Sequence, residues 1–131
     1  MTALAGFHHV ALTVRDLDAS VEWYGHVLGF AELFREEGEE RRACVMRIGD
    51  SGPSVGLVEH LSAVSVDFDP TRTGLDHAAF TVASREALDE WAAMLTEAGV
   101  AHSGAIDVPP GAILNFKDPD GIALALFWDR P

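Results

Sequence analysis

Cysteine occurs once in the 131 residues, as Cys44, so an intramolecular disulfide and a thiolate zinc site are both excluded and nothing demands an oxidising compartment. Cations are also scarce. Lys plus Arg total 9 against 21 Asp plus Glu, a formal charge of -12, and such a surface repels a phosphate backbone. Nucleic acid is therefore not an expected partner. Apolar runs stop at strand length, as in Ile122 to Trp128, and no basic segment followed by a sufficient apolar stretch opens the chain. The expectation is a cytoplasmic protein with no membrane partner. A Gly-x-Gly-x-x-Gly turn and a Walker loop are both missing. The length suits one domain and leaves no room for a second with a full cofactor fold.

What is present is an internal repeat. His9-Val10-Ala11-Leu12-Thr13-Val14 reads against His77-Ala78-Ala79-Phe80-Thr81-Val82, and the same offset aligns Ala19 with Ala87, Glu22 with Glu90 and Trp23 with Trp91. Each copy opens with alternation: Val10, Leu12 and Val14 are bulky, whereas His9, Ala11 and Thr13 are small or polar. In the second copy Ala78, Phe80 and Val82 form the packing face, opposite His77, Ala79 and Thr81. One face packs and the other looks into open space.

A helix follows each opening strand. Asp16 is a predicted N-cap, with Leu17, Val21, Tyr24 and Leu28 at helical spacing and Gly29 as the left-handed terminator. Ser84 and Gly99 bracket the second helix, whose buried stripe is predicted as Leu88, Trp91, Leu95 and Ala98. Strands are predicted at Ala31 to Arg35, Ala43 to Ile48 and Val55 to His60, then at Ala101 to Ile106, Ala112 to Lys117 and Ile122 to Trp128. Glu36 to Glu40, Gly49 to Pro53, Pro109-Pro110-Gly111 and Asp118-Pro119-Asp120-Gly121 read as turns. The predicted organisation is α+β, two tandem β-α-β-β-β modules over residues 7–61 and 75–131, joined by a connection over residues 62–74.

Three stretches carry a family resemblance. His8-His9-Val10-Ala11-Leu12-Thr13-Val14-Arg15-Asp16-Leu17, with Trp23-Tyr24 and Leu28-Gly29-Phe30, resembles the opening signature of the vicinal oxygen chelate superfamily, which includes glyoxalase I, extradiol dioxygenases, fosfomycin-resistance enzymes and bleomycin-resistance proteins. Leu75-Asp76-His77-Ala78-Ala79-Phe80 and Phe116-Lys117-Asp118-Pro119-Asp120-Gly121 are similar to later landmarks of that family. The resemblance implies paired modules whose sheets form a cleft, often in a homodimer. It also implies four inward strand positions holding a divalent metal (Zn, Fe, Mn or Ni) that polarises adjacent substrate oxygens. His9 and His77 match two of them. The final-strand position falls on Ala125 and its partner in module one on Leu57, neither of which coordinates a metal. Glu59, two residues along the face predicted to hold Val55 and Leu57, is the candidate replacement ligand, and its alternative role is an ion pair with Arg47.

Alternation gives a cleft lining whose ligand-binding candidates are His9, Thr13, Arg47, Leu57, Glu59, His77, Asn115, Ala125 and Phe127. Tyr24 and Trp128 are candidate rim aromatics, His60 is assigned to the opposite face, and Cys44 to the packing face. The functional expectation is a small-molecule binding protein similar to the bleomycin-resistance branch, needing no cofactor and sequestering a cationic or aromatic ligand. The alternative is a metal-dependent lyase, isomerase or dioxygenase using His9, His77 and Glu59. A third class is metal-free catalysis with His9 or His77 as general base.

Overall fold

A computed structural model describes residues 2–50, 52–62, 64 and 66–131. Ser51 of the expected turn, and Ala63 and Ser65 of the expected connection, lie outside the described residues. The chain divides into two units, Met1–Ser65 and Val66–Pro131. Unit 1 contains β1 (His9–Thr13), α1 (Leu17–Leu28), β2 (Ala31–Glu37), β3 (Arg41–Arg47) and β4 (Ser54–His60). Unit 2 contains β5 (Ala78–Thr81), α2 (Arg85–Glu97), β6 (His102–Val108), β7 (Gly111–Lys117) and β8 (Ala123–Asp129). The sheet orders are β1-β4-β3-β2 and β5-β8-β7-β6. In each sheet the first strand runs parallel to the last and the other pairings are antiparallel. The repeated α+β module expected from the sequence is the observed fold.

Local signals fix each helix. The Asp16 carboxylate accepts from the Ala19 amide at 3.1 Å, and Gly29 ends α1 at φ 73°. Leu17, Val21, Tyr24 and Leu28 are all buried. Tyr24 is no rim residue: it is fully buried, with its ring stacked on Phe30 at 5.6 Å, because its helical position points it at the sheet. Ser84 caps α2 by accepting from the Ala87 amide. Leu88 and Leu95 are buried, Trp91 is half-buried, and Ala98 is exposed because it stands past the last turn as the cap.

The repeat extends to individual hydrogen bonds. Val14 donates its amide to the Val58 carbonyl at 2.9 Å, and its counterpart Val82 donates to Phe127 at 3.0 Å. The Asp118 side chain closes its turn: its carboxylate accepts from the amides of Asp120 and Ile122, each at 2.9 Å, and Gly121 takes φ 78°.

On the helix side of the first sheet, a charged network ties α1 to three strands. One Glu59 oxygen accepts the Leu17 amide at 3.1 Å, a free donor of the first helical turn, and the other accepts from Arg42 at 3.4 Å. Arg42 also reaches Glu37 and Asp18, and Arg35 bridges Asp18 and Glu32. Replacing Glu59 with Ala leaves the Leu17 amide without its acceptor and is expected to cost about 1 kcal/mol in chemical denaturation.

Hydrogen bonds from Arg35 and then Arg42 hold the Asp18 carboxyl below its ordinary value. The folded state then binds fewer protons than the unfolded one, so this contribution is complete above the unfolded carboxyl value and is lost as pH falls below it. Thermal stability should drop on acidification from about pH 4 downward. Asp18→Asn should flatten that drop, and the effect should be small because the pair is exposed.

Candidate ligand-binding faces

Register partners on adjacent strands point to one side of a sheet, so the pairing decides which side chains can meet. In unit 1 His9 pairs with Ser54, Ala11 with Gly56 and Thr13 with Val58, while Ser54, Gly56 and Val58 pair in turn with Arg47, Val45 and Ala43. These residues form the face turned away from α1, called here the inner face. The other phase of β4 belongs to the core: Leu57 pairs with Leu12 and with Cys44, and all three are buried.

This register corrects three expectations. Leu57 and Glu59 lie on the helix face, opposite His9, so Leu57 does not line an open surface and Glu59 does not join His9. Glu59 pairs with Arg42 rather than Arg47. His60, assigned to the far side, pairs with Arg41 and has the parity of Ser54, Gly56 and Val58. The residues missed were therefore Ser54, Gly56 and Val58. A signal for them existed, since the small residues Ser54 and Gly56 alternate with large ones as Ala123 and Ala125 do in the second copy.

In unit 2 Ala79 pairs with Ala125 and Thr81 with Phe127, and across the sheet Asn115 pairs with Ala125 and Ile113 with Phe127. His77, directly before β5, continues the alternation of Ala79 and Thr81. Asn115, Ala125 and Phe127 thus share one inner face as the sequence suggested. Ala125 is fully buried, Phe127 half-buried and Asn115 exposed.

The histidines have neighbours of their own. His77 Nδ1 lies 2.7 Å from an Asp76 carboxylate oxygen, which can only accept, so Nδ1 is the donor of this pair. His9 Nδ1 meets His8 Nδ1 at 2.7 Å, where one ring donates and the other accepts. Cys44 is buried, and burial pushes its thiol up, which removes it as a nucleophile.

Ala11 beside Gly56 is equivalent in register to Ala79 beside Ala125, so the module-one counterpart of Ala125 is Gly56 and not the expected Leu57, and a hydrogen and a methyl group stand at the two positions. Among the described residues no three His, Cys, Asp or Glu side chains gather closely enough to hold a metal ion. The donor set on either inner face does not fit the metal the family implies. Trp128 lies beneath the Arg130 guanidinium, 5.7 Å from its ring centroid.

Known proteins match this architecture. A solved glyoxylase/bleomycin resistance protein/dioxygenase domain from Frankia sp. EAN1pec is 41% identical with a TM-score of 0.90, covering 98% of this chain and 100% of that one. Catechol-2,3-dioxygenase of Bacillus subtilis (strain 168) is 29% identical over 138 residues, which take in 100% of this chain and 45% of that protein. TnmS3, an antibiotic binding protein from Streptomyces sp. CB03234, shares the fold at a TM-score of 0.75 and 23% identity, covering 99% of this chain and 100% of that one. The chain spans less than half the length of the curated relatives it matches. No helix among the described residues is long and apolar enough to cross a membrane. Residues 6–126 match the model of the Glyoxalase/Bleomycin resistance protein/Dioxygenase superfamily, and the chain belongs to that superfamily.

Proposed function

We propose that the chain is a small-molecule binding protein whose inner sheet faces take an organic ligand without a chelating metal. One observation carries the reading: Gly56 and Ala125 stand at equivalent register positions beside Ala11 and Ala79, so each face offers a flat, small-residue floor with no carboxylate at that position. Around the floors lie side chains suited to an aromatic or partly polar molecule, with Phe34 and Val45 in unit 1 and Phe127 and Asn115 in unit 2. The fold shared with TnmS3, described as an antibiotic binding protein, is compatible with sequestration. The exposed Phe7 and Leu61 side chains are apolar surface that a homodimer would cover.

The likeness to catechol-2,3-dioxygenase favours a second reading, in which the chain takes part in oxygenative ring cleavage. Glu59, the carboxylate that reading needs beside His9, is held on the opposite face by Leu17 and Arg42. Binding without turnover therefore has the stronger support.

A panel of aromatic compounds screened by tryptophan fluorescence, before and after dialysis against a chelator, tests the proposal. The expected result is saturable binding that survives dialysis, with the compound recovered unchanged. Near-stoichiometric divalent metal that survives dialysis and is lost in His9→Ala or His77→Ala would overturn it, as would recovery of a transformed compound.

A further inference from the structure

We infer that the inner face of unit 1 selects ligands bearing a carboxylate, gripped by a row formed by Arg47, Ser54 and His9. The inference rests on the proposed use of that face for ligand binding and adds the chemical class. Arg47 pairs in register with Ser54, and Ser54 with His9, so guanidinium, hydroxyl and imidazole stand on three neighbouring strands of one face. Adjacent strands lie about 4.8 Å apart, so the row spans roughly 10 Å between its outer Cα atoms, within reach of a single carboxylate because Arg is long.

Arg47 is the unengaged cation of its sheet. Arg35, Arg41 and Arg42 each pair with carboxylates, whereas Arg47 forms no ion pair with any described residue and its side chain is exposed. The expected partner, Glu59, is committed to the other side of the sheet. A guanidinium presents a planar fork of donors that matches a carboxylate in bidentate fashion. His9 can add a donor from Nε2 when its Nδ1 accepts from His8, and an anion beside Nε2 selects that arrangement of the hydrogen-bonded pair.

The neighbouring row sets the rest of the ligand. Two residues further along the strands come Ala11, Gly56, Val45 and Phe34, an apolar strip on which Phe34 is 52% exposed. The two rows are about 7 Å apart at strand rise, close to the length of a benzoate ion from carboxylate to far ring edge. Head and body of an aromatic carboxylate thus meet a polar row and an apolar one. The net charge of -12 speaks for cationic ligands over the whole surface, but the charge local to this row is positive.

Amide NMR titrations of the full chain with benzoate, benzamide and inorganic phosphate test the assignment. Benzoate should shift the His9, Arg47, Ser54 and Gly56 resonances saturably, with benzamide and phosphate each binding roughly tenfold more weakly. Arg47→Gln should abolish the preference for benzoate over benzamide, and Arg47→Lys should retain part of it, with spectral dispersion confirming both folds. Equal affinity for benzamide, equal affinity for phosphate, or an unaltered preference in Arg47→Gln would overturn the carboxylate assignment while leaving ligand binding on this face intact. Absence of any shift on the face with all three probes would overturn the assignment, and only silence in the aromatic panel as well would remove the binding function.

Discussion

The parallel pairing of the opening strand with the closing strand of each unit is the constraint on which the remaining structure depends. Strand side chains alternate with period two, so the pairing of Ala11 with Gly56, not Leu57, decides the content of both faces at once. One phase supplies the core with Val55 and Leu57 and directs Glu59 to the helix terminus. The other leaves Ser54, Gly56 and Val58 beside the histidine strand. A slip by a single residue would bury a serine and expose a leucine, and the hydrophobic cost of that exchange holds the register in place.

This also explains where sequence reading succeeded and where it failed. Helix limits were legible because Asp16, Gly29 and Ser84 are chemical signals that act locally. The phase of β1 was legible because it is the outer strand of its sheet, with one face buried and one exposed. β4 is interior, and Val55 to Val58 are buried on both faces, so polarity does not alternate and periodicity cannot choose a phase. The misplacement of Leu57, Glu59, His60 and the partner of Arg47 follows from that single ambiguity. β8 is equally interior, yet the Asp118 turn fixed its start, and Asn115, Ala125 and Phe127 fell on the expected side.

Charge is distributed with the same asymmetry. On the helix side of the first sheet, Asp18, Glu32, Glu37 and Glu59 are matched to Arg35 and Arg42, binding α1 to the strands beneath it. On the inner side, Arg47 in unit 1 and Lys117 in unit 2 stand in register with Ser54 and Ala123, outside that acidic network. A large negative total therefore coexists with a cation in the end row of each inner face. The total charge governs long-range attraction and solubility, whereas short-range selectivity follows the groups within contact distance.

The small residues at Gly56 and Ala125 also bear on descent. A single base change can convert a glycine or an alanine codon into one for glutamate, so each position stands one nucleotide from an acidic side chain. At Gly56 the first added carbon would meet the Ala11 methyl at 3.3 Å, a tight contact with a group that moves only with its own strand. An acidic side chain at either position therefore lies one mutational step away, and at Gly56 the strand pairing with Ala11 would bear the adjustment.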